Sequence, residues 1–372
     1  MSQYPSASKK PFGLPREPML EWSHSRQQRF DTCHRAHYYT ECARDGSLPD
    51  ATPLARNARR LKTLTALPLT IGGALHDRAT ELVKCVRADE PLPGLHELRR
   101  RTSAHLNAVW TSSRDRRKHW MTHPTRVPML RERYYGPLPT EEQLASLAAR
   151  VDARLVTLRG LPLWAELAAC PPEDVMLVDK FASYILADAG GDDVKVWAAP
   201  DIVMRTEPRA PWEVIDVKSG NVATGDALAR DIAQVTSYAV YLRHGAQVLS
   251  EGEHCRGRLV YLGDGTEMSF DILSCDINMA EYRIRDGALA MYEARCAGEA
   301  AAAEAVSAVL ADDSATPGAV IAEVAERARR ESSGYAMTTD RAKCGRCVFA
   351  EVCDPHKPPA SGVDPASADG AA

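Results

Sequence analysis

The apolar positions in the middle of the chain predict β-strands. Three apolar runs follow one another between residues 175 and 219, namely VMLVDKFASYIL, VKVWAAPDIVM and WEVIDVKS. Runs of this length are typical of consecutive strands. The segment TEPRAP separates the second run from the third, so we expect these two to pair as a hairpin. A second hairpin is predicted in RGRLVYLGDGTEMSFDILS, where Gly263-Asp264-Gly265 is a good turn signal.

Helical spacing of apolar residues occurs on both sides of these strands. The strongest pattern spans residues 139–167, where Thr140 suits a helix start. Further helices are predicted at 226–243, 279–296 and 317–332. No internal repeat is found. The order of the elements predicts an α/β or α+β layout with a mostly antiparallel sheet, rather than a Rossmann arrangement.

Two aspartates and a lysine interrupt the apolar runs. Asp201 lies near the end of the second run, and Asp216 and Lys218 lie two residues apart in the third. Because side chains alternate along a strand, Asp216 and Lys218 share a face, and the hairpin can bring Asp201 beside them. Such a cluster usually surrounds a divalent metal, whereas an isolated Asp-x-Lys is more often a solvent-facing strand edge. Gln234 and Tyr238, four residues apart, share one face of the next helix.

The order of these residues, with a histidine upstream, resembles the PD-(D/E)XK nuclease superfamily and in particular its RecB-like branch. That branch carries a histidine, an aspartate, an Asp-x-Lys element and a Gln-x-x-x-Tyr motif in this order. The matching positions are His76 in a Gly-Gly-Ala-Leu-His setting, Asp201, Asp216, Lys218, Gln234 and Tyr238. Outside this order, His76 would be interpreted as a surface histidine of a helix. The resemblance implies an α/β, restriction-endonuclease-like core with a mixed central β-sheet flanked by helices.

The resemblance also assigns a role to each matched residue. It implies that Mg²⁺ or Mn²⁺ is held by Asp201, Asp216, the carbonyl of Val217 and, on the same or a second metal, His76. Such a metal activates a water for phosphodiester hydrolysis and neutralises charge on the leaving oxygen. Lys218 would orient or deprotonate the attacking water and stabilise the developing charge. Two further residues would position the lysine and the DNA backbone: Gln234 and Tyr238.

The C-terminal part of the chain carries three closely spaced cysteines, Cys344, Cys347 and Cys353. A tetrahedral metal site or a cubane cluster needs four ligands, and Cys33 in FDTCHRAHYY is the candidate for the fourth. That segment resembles the opening of iron–sulfur RecB-like nucleases, which include the AddB nuclease domain and the CRISPR adaptation nucleases. In those relatives four such cysteines bind a [4Fe–4S] cluster that joins the N- and C-terminal segments. Their first cysteine is usually followed by Pro, whereas here it is followed by His34.

Zinc is the alternative at these cysteines, with Cys33 or His356 as the fourth ligand. Residues 1–20 lack the apolar core of a signal peptide, so we expect a cytoplasmic protein whose cysteines are thiols or metal ligands rather than disulfides. The other six cysteines are isolated in the sequence and are expected to be buried as small apolar residues: Cys42, Cys85, Cys170, Cys255, Cys275 and Cys296.

Residues 97–135 are rich in arginine, with aromatic residues between. Guanidinium groups contact phosphates and aromatic faces stack on unpaired bases, a combination suited to single-stranded DNA. The candidate contacts are Arg99, Arg100, Arg101, Arg114, Arg116, Arg117, Lys118, Trp110 and Trp120. The alternative is a solvated helix face, which arginine runs commonly form. The stretch belongs to a helical insertion, at about residues 90–170, that the resemblance covers poorly.

Composition limits the broader classes of function. The chain has 372 residues and a net charge of −4, so any basic surface for nucleic acid would be local rather than global. The sequence has no run of about 18 apolar residues, so no membrane span is predicted. It has no Walker A motif either, so no helicase is predicted within the chain. We expect a flexible leader at 1–20, a nuclease domain at 21–356 and a disordered tail at 357–372.

The expected function is metal-dependent hydrolysis of DNA, by exo- or endonuclease action, on single strands or DNA ends. The resemblance implies a setting in repair, recombination or antiviral defence, with a helicase or other subunits of such a complex as partners. One alternative is a catalytically inactive iron–sulfur DNA-binding module, against which the intact Asp201, Asp216 and Lys218 argue. The other alternative is a nuclease that acts on RNA.

Overall fold

The computed structural model describes residues 20–42, 45–47, 51–176, 182–187, 193–313 and 315–353. The predicted tail at 357–372 and His356 lie outside the described residues. So does the predicted leader at 1–20, apart from its last residue. Part of the first predicted strand run, residues 177–181, also falls outside them.

Helices surround a set of strands in the middle of the chain, which confirms the predicted α/β class. The described strands are β1 Leu20–Ser23, β2 Leu64–Thr65, β3 Met129–Leu130, β4 Val175–Met176, β5 Ala182–Leu186, β6 Val194–Ala198, β7 Ile202–Met204, β8 Glu213–Lys218, β9 Cys255–Tyr261 and β10 Glu267–Ile272. The described α-helices are α1 His24–Thr32, α2 His34–Cys42, α3 Pro53–Leu61, α4 Leu67–Arg87, α5 Leu95–Asp115, α6 Arg117–Thr122, α7 Arg131–Tyr135, α8 Glu141–Gly160, α9 Leu163–Ala169, α10 Gly225–His244, α11 Ser274–Asp312, α12 Gly318–Glu331, α13 Arg341–Gly345 and α14 Ala350–Cys353.

The central sheet has five strands in the order β10-β9-β8-β7-β4. β8 and β9 are parallel, and the other neighbouring strands are antiparallel. Parallel strands need a crossover connection, and here α10 supplies it between β8 and β9. The sheet is therefore mixed and mostly antiparallel, as expected, and the hairpin predicted around Gly263-Asp264-Gly265 is the β9–β10 pair.

β8 is buried on both of its faces. Val214 belongs to a core that also contains apolar residues of α10 and α11, whereas Ile215 and Val217 belong to a core formed with α4, α8 and α9. A strand between two cores has apolar residues at successive positions instead of alternating with polar ones. This explains why WEVIDVKS is a largely apolar run in which Glu213 and Asp216 are buried charged exceptions.

The second predicted run does not form one strand. β6 belongs to a separate three-stranded sheet in the order β1-β6-β5, and β7 belongs to the central sheet. The chain passes between the two sheets at residues 199–201, where Pro200 has no N–H to continue a ladder. Asp201 therefore stands immediately before β7 at the point of crossing.

Two helices have different lengths from those predicted. The helix predicted at 139–167 is divided into α8 and α9, because Pro162 interrupts it. The helix predicted at 279–296 is the 39-residue α11, because the alanine-rich segment that follows has high helix propensity and continues it. Thr140 caps α8 as predicted, accepting the N–H of Gln143.

The C-terminal segment of the described chain lies against two earlier helices, α2 and α7. The Tyr39 hydroxyl donates to the Val352 carbonyl over 3.0 Å, and the Tyr135 hydroxyl donates to the Val348 carbonyl over 2.8 Å. The side chain of Arg35 donates to the Tyr335 carbonyl over 2.7 Å. These bonds connect α2 and α7 to the C-terminal segment. Within the described ranges, no helix is both long enough and apolar enough to cross a membrane.

Candidate active site

The β7–β8 hairpin sets two aspartates side by side. Ile202 pairs with Ile215 in the antiparallel ladder, so the next positions along the two strands are Asp201 and Asp216. The hairpin predicted across TEPRAP is therefore confirmed. Both carboxylates are withdrawn from solvent, since 12% of the Asp201 side chain and 4% of the Asp216 side chain are exposed.

α4 brings His76 to this hairpin. An added Cβ at Gly72, one turn earlier, would lie 3.3 Å from Ser219 Oγ, so the glycine allows the helix to approach the end of β8 closely. His76 Nε2 lies 3.3 Å from Asp201 Oδ1, and the Val217 N–H donates to Asp201 Oδ2 over 2.8 Å. The two oxygens of Asp201 thus contact the histidine and the strand backbone.

Lys218 and α10 complete the cluster. Lys218 Nζ lies 2.9 Å from Asp216 Oδ2 and donates to Gln234 Oε1 over 2.7 Å. Gln234 Nε2 lies 3.3 Å from Asp216 Oδ1 and 2.8 Å from the Tyr238 hydroxyl oxygen, to both of which it donates. The prediction that the glutamine and tyrosine share a helix face is confirmed. The catalytic roles of these residues stay predictions.

The site holds more negative than positive charge. Burial, followed by the neighbouring Asp216 carboxylate, raises the pKa of Asp201 well above its usual value, although the Val217 N–H and Lys218 act in the opposite direction. Burial acts to lower the pKa of Lys218, but the charges of Asp216 and Asp231 outweigh it and raise the pKa. A divalent cation beside the carboxylates would offset the excess charge.

The donor atoms fit a hard divalent cation in type. Carboxylate and carbonyl oxygens are the ligands that Mg²⁺ and Mn²⁺ prefer, and Asp216 Oδ2 is buried and accepts no hydrogen bond from the described residues, although Lys218 Nζ is close to it. A cavity of ≈ 1160 Å³ is lined by both His76 and Asp201. In the described part of the chain, no three His, Cys, Asp or Glu side chains already surround one metal position. Side-chain movement would be needed to form the complete ligand set.

Two residues near Lys218 were not predicted from the sequence. Asp231 Oδ1 lies 3.3 Å from Lys218 Nζ, and Asp231 Oδ2 accepts the Tyr261 hydroxyl over 2.9 Å. Asp231 precedes Gln234 by three residues on α10, and this spacing was a usable signal. His24 lies within electrostatic range of Lys218 and Asp231, and its buried Nε2 has no hydrogen-bond partner in the described residues. No sequence pattern indicated this histidine.

The four predicted cluster ligands lie near one another. Burial raises the pKa of Cys347 to about 11, and the thiols of Cys353, Cys33 and Cys344 add to the effect. Thiols act on one another in this way only at short range. The Phe349 N–H donates to Cys347 Sγ over 3.4 Å, the kind of bond that also stabilises metal-bound sulfur. Within the described residues no three of these thiols already surround one metal position, so their binding of a metal group stays a prediction.

The remaining cysteines correct one expectation. Cys170 and Cys255 are buried as predicted, and Cys85 is half-buried. Cys275 and Cys296 are exposed on α11, because their side chains lie on the side of this long helix that faces away from the core. The side chain of Cys42 lies outside what the structure describes.

The predicted nucleic-acid contacts divide into paired and unpaired cations. The paired arginines contact carboxylates: Arg99 with Asp152, Arg100 with Glu97, Arg101 with Glu97 and Glu81, and Arg114 with Asp115. Arg117 lies over the Tyr134 ring at 5.1 Å from its centroid, while Arg116 and Lys118 are exposed. The stretch is therefore less basic in effect than its sequence indicates.

The two tryptophans of this stretch are not free aromatic surfaces. Trp120 is fully buried, and its Nε1–H donates to the Thr63 hydroxyl over 2.9 Å. Its prediction as a base-stacking residue is corrected, since a ring in the core cannot reach a base. Trp110 is half-buried, with the Arg133 guanidinium 4.1 Å from the ring centroid.

Comparison with known proteins agrees with this geometry. The family model for the PD-(D/E)XK nuclease superfamily matches residues 21–354. The chain belongs to the PD-(D/E)XK nuclease superfamily, whose members act on nucleic acids. No curated protein matches the chain. A crystal structure of SSO0001 matches over 58% of this chain and 77% of that chain, with 17% identity and a TM-score of 0.25, a likeness too small to carry an argument.

Proposed function

We propose that this protein is a divalent-metal-dependent nuclease that hydrolyses phosphodiester bonds of DNA at the β7–β8 hairpin. One observation carries the proposal: the strand register sets Asp201 beside Asp216, with the Lys218 ammonium 2.9 Å from the second carboxylate. Carboxylates alone could belong to a structural ion pair. The lysine on the same face, which donates to Gln234 of α10, supplies a cation that can stabilise charge on the phosphoryl oxygens.

The metal would be Mg²⁺ or Mn²⁺, held by Asp201, Asp216 and the Val217 carbonyl, with His76 as a further ligand. It would supply Lewis acidity and a water of lowered pKa. Lys218 would orient that water and stabilise charge on the phosphoryl oxygens, and Gln234 would keep the lysine directed towards Asp216. Asp201 and Asp216 repel each other at close range, and this repulsion favours occupation by a cation.

The substrate would be single-stranded DNA or a DNA end. Support comes from the cavity lined by His76 and Asp201, which extends from Asp201 along α4 to the start of α5. The exposed Arg116 and Lys118 would add local positive charge in the helical insertion. As a cytoplasmic member of the RecB-like branch, the protein would work beside a helicase or other repair, recombination or defence subunits.

The four cysteines would bind a [4Fe–4S] cluster within a nuclease domain at residues 21–356. Their proximity and the Phe349 N–H bond to Cys347 Sγ support a group bound through sulfur. Zinc is the alternative occupant. Metal analysis of protein purified without oxygen separates the two, because the proposal requires iron and sulfide rather than zinc.

A cleavage assay tests the enzymatic proposal. End-labelled single-stranded DNA, double-stranded DNA and RNA are incubated with Mg²⁺ or Mn²⁺ and with wild type, Asp216→Ala or Lys218→Ala. We expect wild type to cut DNA, Asp216→Ala to be inactive, and Lys218→Ala to lose about 10²–10³-fold in kcat while DNA binding is kept. Asp226→Ala, an exposed carboxylate on α10, is the matched control and should remain active.

Each alternative function has its own result in this assay. Wild type that leaves every substrate intact with either metal would exclude the enzyme and leave a binding module. Preferential cleavage of RNA would replace DNA as the substrate. If Asp216→Ala retained activity, the cleavage would not take place at this site.

A further inference from the structure

The Lys218 ammonium is surrounded by oxygen acceptors. Nζ lies 2.9 Å from Asp216 Oδ2 and 3.3 Å from Asp231 Oδ1, and it donates to Gln234 Oε1 over 2.7 Å. An ammonium has three donors and no acceptor, so these oxygens match its capacity. Asp216 and Gln234 belong to the sequence motifs that were recognised, whereas Asp231 does not.

Tyr261 contacts the other carboxylate oxygen of Asp231. Tyr261 is the ladder neighbour of Lys218 in the β8–β9 pair and is 1% exposed, so its ring has little freedom to move. Its hydroxyl donates to Asp231 Oδ2 over 2.9 Å. Burial, together with Asp231, raises the pKa of Tyr261 to about 12, so the hydroxyl keeps its proton and remains a donor.

We propose that Asp231, oriented by Tyr261, is a positioning residue of the nuclease site that holds the Lys218 ammonium in place. The proposal rests on the nuclease function proposed above. A cation on Asp216 would share that carboxylate, and Asp231 would then be the remaining anionic partner of the lysine. Without Asp231, Nζ would be restrained by the neutral Gln234 amide and by an Asp216 carboxylate shared with the cation, and a small displacement of a catalytic group is costly.

Kinetics of three variants test this role. With Mn²⁺ and single-stranded DNA, we expect kcat to fall about tenfold in Asp231→Asn, about 30-fold in Asp231→Ala and about threefold in Tyr261→Phe. KM should stay within twofold, because neither residue is placed against substrate. Combining Tyr261→Phe with Asp231→Ala should lower kcat no further than Asp231→Ala alone, since Tyr261 acts through Asp231. Asp226→Asn, on the same helix and exposed, is the control.

A second measurement does not depend on cleavage. Nitrogen-15 NMR of the lysine ammonium groups reports their hydrogen exchange with water, and the Lys218 signal is assigned by its loss in Lys218→Arg. We expect exchange at least tenfold faster in Asp231→Ala, with Asp231→Asn as the substitute if the alanine variant does not fold.

The proposal is overturned if kcat in Asp231→Ala is within twofold of wild type, or if the exchange rate of the Lys218 ammonium is unchanged. A fall in kcat that is accompanied by an equal rise in KM would also overturn it, because that pattern indicates substrate contact. If wild type cuts no nucleic acid, the proposed function fails, whereas the exchange rate still decides whether Asp231 holds Lys218.

Discussion

Gln234 of α10 hydrogen-bonds to both charged residues of β8, Asp216 and Lys218. Its carbonyl oxygen accepts from Lys218, and its amide nitrogen donates to Asp216 and Tyr238. A single amide therefore satisfies a cation and an anion at once, which neither a carboxylate nor an ammonium can do. The side chain fixes the distance between the two charged groups rather than contributing a charge of its own.

Replacing Gln234 tests this bridging role. We expect Gln234→Ala to lower kcat about tenfold, and Gln234→Glu to lower it further, because an additional carboxylate would face Asp216 and offer it no donor. Tyr238→Phe removes only the hydroxyl at the end of the network and should have the smallest effect. Single-turnover cleavage with saturating Mn²⁺ gives the three rates. A Gln234→Glu enzyme as fast as wild type would contradict the bridge.

Sequence spacing predicted the contacts within one element but not those between distant ones. The hairpin register and the helical spacing of Gln234 and Tyr238 follow from local geometry. Asp231 belongs to the same helix face, yet its partner Tyr261 lies 30 residues away on another strand, so only the packed structure brings the pair together. His24 approaches Lys218 in the same non-local way.

At the scale of elements, the arginine-rich helices have two faces with different tasks. Trp120 of α6 is buried beside Thr63 and lies under the Arg60 guanidinium, 5.9 Å from the ring centroid. Two arginines of α5, Arg99 and Arg101, pair with carboxylates of α8 and α4 respectively, which are distant in sequence. A helix that buries its aromatic residues and a helix that binds nucleic acid can therefore show the same mixture of arginine and aromatic residues. The sequence pattern alone does not distinguish them.

Trp120 should contribute to stability rather than to substrate binding. We expect Trp120→Ala to lower the free energy of unfolding by about 3–5 kcal/mol, because it leaves a large cavity and removes the hydrogen bond to the Thr63 hydroxyl. The DNA affinity of the folded protein should be unchanged. Chemical denaturation and DNA titration measure the two quantities, and Arg116→Ala, at an exposed cation, is the comparison variant. A loss of DNA affinity in folded Trp120→Ala would restore the base-stacking interpretation.

At the scale of the molecule, hydrogen bonds join α2, α3 and α7 to the C-terminal segment of the described chain. Besides the bonds from Tyr39 and Tyr135, Glu351 of α14 is contacted by Arg60 and by the Tyr134 hydroxyl. The cysteines predicted a metal group between these segments, and that group stays a prediction. Nothing in the sequence indicated the tyrosines, because their partners are backbone carbonyls that carry no residue-specific signal.

Removing one thiol should distinguish the contribution of the proposed metal group from that of the tyrosine hydrogen bonds to the C-terminal segment. We expect Cys347→Ser to lose bound iron and visible colour and to unfold at lower temperature, yet to retain its helical circular dichroism, because the tyrosine bonds remain. Cys296→Ser, at an exposed cysteine of α11, should change none of these properties. Iron analysis and thermal unfolding of the two variants decide the matter. Equal iron content in both would remove Cys347 from the ligand set.

β8 contributes side chains to both cores and also carries Asp216 and Lys218. A segment shared by two cores opens only when both do, so its amide protons should exchange at a rate close to that of global unfolding. We therefore expect the charged site to lie in a segment that opens only when the whole molecule unfolds. A mutation that weakens either helical layer would reduce the fraction of active molecules while leaving the turnover of each remaining one unchanged.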